Sequence, residues 1–420
     1  MVVIKTSVLS EPVIEKLGAL QEADILIGIP SFNNVDTIGH VVRAVQAGIA
    51  KYFPDRKSVL INSDGGSQDG TREIVKQTLI QDFQPLLISQ SKDFVSKIVI
   101  PYHGIPGKGS AFRTVFEIAK TLGVKACAVV DSDLRSITPE WIDLLIRPVI
   151  EREFDFVSPY YLRHKYDGTI TNSIVYPLTR SLYGRHIRQP IGGDFGFSGR
   201  LAEFYLTKDV WETDVARFGI DIWMTTTAVA NDFKVCQAFL GAKIHAAKDP
   251  SSDLSAMLNQ VTSTVFMLME EYTGKWKNIM MTEPVPLFGF QFSVGLEPIH
   301  VNVDRMVNMF QLGLKELGDI WKEIISPDNF SELVATAERE PFSLSDELWT
   351  LLIYDVAVAW HRKVMNREHV LKTLAPLYLG KVASLVMDMA NNTAADVEKR
   401  LESLCIAYEK NKPYLIERWE

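Results

Sequence analysis

Asp131 and Asp133 stand one residue apart at the end of the apolar run Ala126-Cys-Ala-Val-Val130. Two carboxylates at that spacing suit a divalent cation such as Mg2+ or Mn2+, held jointly with phosphate oxygens. The run reads as a buried parallel strand, and ligands of such sheets collect beyond the carboxyl ends of the strands. In an extended segment residues i and i+2 point the same way, so both carboxylates are expected to face one ligand while Ser132 faces the other side. The same three residues can also cap a helix or make a turn.

Four further positions could join such chemistry. Lys108 lies in the loop His103-Gly-Ile-Pro-Gly-Lys-Gly109, just before an apolar helix, where backbone amides and an ammonium can approach an anion. The glycine spacing is not that of a P-loop, and a solvated lysine in a flexible loop is the plainer alternative. Asp221 heads the apolar segment Ile222–Trp223, as a catalytic carboxylate or a helix cap. His245 ends the strand-like stretch after Val235, as a ligand or a core histidine. Arg163 offers a planar fork matched to a carboxylate, eight residues before the hydroxyl of Thr171; a surface ion pair is the alternative use.

The elements that must position these residues alternate. Strands are predicted at Asp24–Pro30, Ser58–Asn62, Lys97–Ile100, from Ala126, at Phe156–Tyr161 and at Val235–Phe239. A short helical lead-in ends near Ala23, and helices fall between strands, as in Val35–Tyr52 with Ile38, Val41, Val42, Val45 and Ile49 at helical spacing. Thr138-Pro139-Glu140 opens another. Such alternation implies a mainly parallel α/β sheet with right-handed crossovers. Beyond about Pro298 it stops. Met306, Phe310, Leu314, Leu317, Trp321 and Ile324 share one helical face, Leu348 to Val358 suggest a second helix, and Thr393 with Asp396 is spaced like a capping box before a third. The expected division is therefore residues 1–298, a catalytic α/β domain, and 299–420, a helical C-terminal domain serving as lid, scaffold or oligomer contact.

Composition narrows the partners. A formal charge of −8 over 420 residues argues against binding the nucleic-acid backbone. Cys127, Cys236 and Cys405 are widely spaced in apolar contexts, which predicts buried thiols rather than disulfides or a zinc cluster. The N-terminus lacks the basic-then-apolar order of a signal peptide, and no apolar run reads as approaching the roughly 18 residues of a membrane span. A soluble cytoplasmic protein, without nucleic-acid or membrane partners and with a homo-oligomer left open, is the expectation.

The order of these segments resembles the nucleotide-sugar glycosyltransferases of the GT-A fold. More narrowly, it is similar to the retaining mannosylglycerate and glucosyl-3-phosphoglycerate synthases, from about Ile25 to about Leu268. Pro30-Ser-Phe-Asn-Asn34 resembles the nucleoside-holding loop, Asn62-Ser-Asp-Gly-Gly-Ser-Gln-Asp69 the next nucleotide turn, Pro106-Gly-Lys-Gly109 the family's Pro-Gly-Lys-Gly loop and Asp131-Ser-Asp133 its Asp-x-Asp metal motif. Gln189-Pro-Ile-Gly-Gly193 resembles the acceptor-side turn, Gly219-Ile-Asp221 a segment near the reaction centre, and His245 the distant metal ligand.

The resemblance implies a GT-A, Rossmann-like, mostly parallel sheet with a helical appendage. It implies nucleotide-sugar contacts from Pro30, Phe32, Asn34, Asp64, Lys108, Asp131 and Ser132. It further implies acceptor contacts from Arg163, Thr171, Ile191, Gly192 and Gly193, metal ligation by Asp133 and His245, and a catalytic Asp221. The implied reaction moves a hexose, glucose or mannose, from UDP-glucose or GDP-mannose to glycerate, 3-phosphoglycerate or a similar small anionic acceptor, with retention. Two departures stand out: Asp194 where the family usually has Glu, and Asn34 where a carboxylate is common. The alternatives are a sugar nucleotidyltransferase, whose Gly-rich Thr-Arg signature is missing after the first strand, and a non-catalytic nucleotide-sugar-binding protein.

Overall fold

The structure is a computed structural model that describes residues 7–78, 95–101, 107–245, 254–292, 299, 301–390 and 392–420. The loop expectations at His103–Pro106 and the predicted helix position Leu79 lie outside the described residues. The chain forms two compact units, one of residues 1–162, 191–246 and 285–294, the other of 163–190, 247–284 and 295–420. The sequence-based division at 298/299 differs from this in that residues 163–190 and 247–284 cluster with the helical tail.

The first unit is built on a sheet with eight strands among the described residues. They are β1 (Ile25–Ser31), β2 (Ser58–Asp64), β3 (Val95–Pro101), β4 (Ala126–Val129), β5 (Phe156–Leu162), β7 (Phe195–Ser198), β8 (Val235–Ala242) and β10 (Leu287–Phe288), in the order β10-β8-β5-β7-β4-β1-β2-β3. β6 (Arg185–His186) and β9 (Glu283–Pro284) make a separate pair in the second unit. Every neighbouring pair in the large sheet is parallel except those made by β7, which runs antiparallel to both β4 and β5.

β1 is buried along its whole length because helices cover both faces. Ile25, Ile27 and Ile29 face one side and join a core with Ile38, Val42 and Val45 of helix Val35–Tyr52 and Ile142 and Leu145 of helix Pro139–Arg152. Each such side chain is worth about 1.5–3 kcal/mol on full burial. The alternate residue Gly28 faces helix Lys108–Thr121, so close that a Cβ there would lie 2.6 Å from Val115 Cγ2. That approach seats the helix carrying Lys108 directly on the central strand.

Besides the short pair β6 and β9, two strands of the large sheet escaped the sequence reading. β7 has four residues, one of them Gly196, whose absent side chain lets it pass Leu145 O of helix Pro139–Arg152: a Cβ would sit 2.1 Å from that oxygen. β10 has two residues and gets its place only from pairing with β8.

The second unit is mostly helical, and residues 163–190 are tied into its tail by polar bonds. Trp349 Nε1 donates to Ser173 O at 2.8 Å, and Lys412 Nζ donates to Ser181 O at 2.8 Å, near the end of helix Tyr176–Tyr183. The predicted helical faces are present in Val303–Ile324, Asp346–Arg362 and Ala394–Arg418, the last with the Thr393–Asp396 capping box formed. The three cysteines are buried and unpaired. Contrary to the sequence expectation, one stretch among the described residues, Arg367–Asp388, is long and apolar enough to cross a membrane; 72% of its apolar window is buried, as in a core helix.

Candidate active site

β1 pairs in parallel with β2 on one side and β4 on the other, so the order in which strands are added reverses at β1, the kind of switch point where such sheets bind ligands in a crevice past the strand ends. The loops after β1 and β4 are stitched together. Ser132 Oγ donates to Asn34 Oδ1 at 2.8 Å, and Thr37 Oγ1 donates to Ser132 O at 2.8 Å. Asn34 Oδ1 also accepts from Phe32 N at 3.0 Å, while Phe32 itself is 60% exposed, an aromatic face open at the crevice loop. Pro30 lies within β1.

Asp64, expected to touch the nucleotide, is almost wholly buried, and its oxygens hold the following turn. Oδ1 accepts from Gly66 N and Ser67 N, and Oδ2 from Ser31 Oγ and Ser67 Oγ, all within 3.0 Å. It shapes the loop rather than presenting a free carboxylate.

β4 ends at Val129, and Asp131 to Asp133 lie in a turn, not in an extended strand. The extended backbone on which the i, i+2 expectation rested is therefore absent. Asp131 is drawn between two ammonium groups, with Oδ1 2.8 Å from Lys108 Nζ and Oδ2 2.8 Å from Lys243 Nζ. Burial works against the charged form of Asp131, but Lys108 and then Lys243 outweigh it and hold its carboxyl below the usual range. Lys108 also reaches Asp221 Oδ1 at 3.3 Å. Burial disfavours its ammonium, yet Asp131 and Asp221 together keep its pKa above the ordinary lysine value.

Lys243 is the hub that sequence reasoning missed. Besides Asp131, its Nζ donates to Gly192 O and to Asp194 Oδ2, each at 2.8 Å. Asp194 is fully buried; its Oδ1 accepts from Asp131 N at 2.7 Å, and Tyr161 OH donates to its Oδ2. The departure from Glu therefore bears on how Asp131 is held, since this carboxylate points into the protein. The only sequence signal for Lys243 was its place two residues before His245 at a strand end. Gly193, with φ +90°, closes the cluster: a Cβ there would lie 2.2 Å from Asp131 Oδ2.

Asp221 sits in the first turn of helix Ile220–Ala230, 7% exposed. Burial raises its pKa, Lys108 opposes the rise, and Asp131 adds to it. The Gly-Lys-Gly loop differs from expectation in one respect. Gly109 N donates to Arg217 O at 3.3 Å, and a Cβ on Gly109 would lie 1.8 Å from Val215 O. That glycine is needed for backbone packing just ahead of the Asp221 helix, and its amide is already engaged.

Asp133 and His245 flank a common backbone contact: Arg135 N donates to Ile244 O and Ile244 N donates to Ser136 Oγ, both at 2.9 Å. Among the described residues no group of three or more His, Cys, Asp and Glu side chains is arranged to hold a metal ion. Arg163 and Thr171 belong to the second unit. Arg163 Nη1 pairs with Asp167 Oδ2 at 3.1 Å, and Thr171 is buried at the start of a π-helical turn, Thr171–Val175.

The first unit is thus a mostly parallel α/β fold with a switch point at β1 and a carboxylate–ammonium cluster past its strand ends. Residues 26–211 match the family model Glycosyl transferase family 2. Two solved structures similar to the chain are glucosyl-3-phosphoglycerate synthases from Mycobacterium tuberculosis. One, in complex with Mn2+, UDP and glucosyl-3-phosphoglycerate, is 21% identical over 61% of this chain and 83% of its own, with a TM-score of 0.44. The other, with Mn2+, UDP-glucose and phosphoglyceric acid, is 19% identical over 62% and 84%, with a TM-score of 0.44. No curated protein matches the chain.

Proposed function

We propose that the protein is a metal-dependent, retaining hexosyltransferase that moves glucose or mannose from a nucleotide sugar to a small anionic hydroxy acid. The observation that carries this is the cluster of Lys108, Asp131, Lys243 and Asp221 beyond β4, next to the crevice loops of Asn34 and Ser132. It puts a cation for a diphosphate beside a buried carboxylate.

The donor set fits a cation such as Mg2+ or Mn2+. Asp131 is already engaged by two lysines, and the residues that would hold such an ion are Asp133 and His245, whose carboxylate and imidazole would suit it together with phosphate oxygens. When bound, the ion supplies neutralisation of the leaving diphosphate without a proton donor. Lys108 adds a charge-assisted hydrogen bond to the same phosphates. The C1–O bond of the donor breaks with its electron pair going to the phosphate oxygen, and the acceptor hydroxyl oxygen bonds C1 on the same face. The hydroxyl proton passes to the leaving phosphate oxygen. Asp221 stabilises the positive charge that develops at C1, while Ile191, Gly192 and Gly193 receive the acceptor.

Incubation with labelled UDP-glucose or GDP-mannose, Mn2+ and glycerate tests the reading. Labelled glycoside whose anomeric proton coupling matches the donor's configuration supports it. Pyrophosphate exchange would indicate a nucleotidyltransferase instead, and tight donor binding without turnover a sensor.

A further inference from the structure

β4 and β7 pair in register as far as Val129 and Phe195. One residue on, Val130 N still donates to Gly28 O of β1 at 3.0 Å. The next amide, Asp131 N, lies beyond the end of the β4–β7 ladder and is taken instead by a side chain, Asp194 Oδ1, at 2.7 Å. Asp194 stands one residue before β7 and is fully buried. Its other oxygen, Oδ2, accepts from Tyr161 OH near the end of β5 and from Lys243 Nζ just after β8, the latter at 2.8 Å. All of these residues belong to the first unit.

Asp194 therefore fixes Asp131 twice. It holds the main chain directly, and it holds the side chain through Lys243, whose Nζ lies 2.8 Å from Asp131 Oδ2 as well. The remaining oxygen, Asp131 Oδ1, is the one 2.8 Å from Lys108 Nζ. A buried carboxylate that serves several donors resists displacement, since moving it strands polar groups away from water. The path runs from Asp194 to Asp131 to Lys108, and Asp194, wholly enclosed, acts only through its neighbours.

We propose that Asp194 is a positioning residue: acting through Asp131, it sets where the Lys108 ammonium stands against the donor diphosphate. This rests on the functional reading above.

The test uses the full chain with Mn2+, glycerate and a nucleotide-sugar donor, UDP-glucose or GDP-mannose. Asp194→Asn keeps the size of the side chain and an oxygen for Asp131 N, but turns an amide donor on Lys243 and Tyr161. The expected result is a donor KM raised about tenfold with the acceptor KM little changed. Tyr161→Phe, which removes one hydroxyl, should move the donor KM the same way by about threefold. Neither substitution should matter once Lys108→Ala has removed the ammonium they place, so each double variant should match Lys108→Ala in donor KM and in calorimetric donor affinity. A purely structural role would instead move both KM values and add to the effect of Lys108→Ala. A change confined to the acceptor KM, additive double variants, or a donor KM unchanged in both single variants overturns the proposal while the transferase reading stands. A wild type that neither binds nor uses a nucleotide sugar removes that reading and this proposal with it.

Discussion

Lys243 and Asp131, 112 residues apart, meet in an ion pair of 2.8 Å, and Gly193 passes so close that no side chain fits beside it. The same ammonium holds Asp194 and the Gly192 carbonyl. One lysine thus fixes both the carboxylate after β4 and the glycine turn before β7. Removing one partner of a buried pair typically costs about 3–5 kcal/mol, because the other charge is left uncompensated.

Gly193→Ala should therefore damage the site itself. The residue has φ +90°, and the added Cβ would meet Asp131 Oδ2 at 2.2 Å. Strain of this kind costs about 1–3 kcal/mol, and relief must come from moving Asp131. The expected outcome is a lower melting temperature together with loss of donor binding in calorimetry. Gly18→Ala is the control: nothing lies within 4 Å of its Cβ in helix Glu11–Leu20, so a gain of about 0.5–1 kcal/mol is expected there.

Lys108→Ala should raise the donor KM by about tenfold or more, as loss of a charge-assisted hydrogen bond worth about 1.5–3 kcal/mol requires. The acceptor KM should move less. Because Lys108 also opposes the burial of Asp221, the pKa of Asp221 should rise further in the variant, and the acid limb of the rate profile should shift to higher pH. An effect confined to the acceptor KM would detach Lys108 from the donor.

Much of this was legible, and the limits have physical causes. Buried parallel strands are nearly continuous apolar runs, and β1, β2 and β4 announce themselves in that way; helix Val35–Tyr52 does so through its period. β7 could not be read, since four residues including Gly196 have no pattern without their neighbours. Lys108, Asp131 and Asp221 were found through the order of loops, but the ion pairs joining them were not, because Lys243 looks like any lysine ending a strand. Nor does anything local show that Arg180 will find Glu402 and Glu409. Such choices of partner over more than 200 residues assign 163–190 to the helical unit, and composition carries no trace of them.

Asp133→Ala separates the roles of the two aspartates. Asp131 is paired with two lysines, so Asp133 is the aspartate assigned to the proposed metal site. EDTA should abolish transfer and Mn2+ or Mg2+ restore it in the wild type, whereas Asp133→Ala should stay inactive in excess metal and lose Mn2+ binding by titration calorimetry. Its melting temperature should change little in the absence of metal. Near-normal turnover by this variant would remove Asp133 from the proposed metal site.

The helical unit offers a test by pH. The Lys381 side chain is fully buried, its Nζ 2.7 Å from Asp346 Oδ1 and 2.9 Å from Leu344 O. Burial lowers its pKa to about 8, against the opposing pull of Asp346, from an ordinary value of 10.5. The folded state thus releases this proton before the unfolded chain does. Between pH 8 and 10.5 the unfolded chain binds more protons, so the contribution of Lys381 to stability rises as pH rises through that window. Below pH 8 both states are protonated, and the folded state carries the full cost of a desolvated ammonium. Lys381→Met removes the titration but leaves Asp346 paired with Arg400. Urea unfolding at pH 7 and pH 10.5 should show wild type gaining on the variant by up to about 3 kcal/mol, since each tenfold difference in proton affinity between the two states is worth about 1.4 kcal/mol. A wild-type-minus-variant difference that stays flat across that window would show that Lys381 titrates as an ordinary lysine.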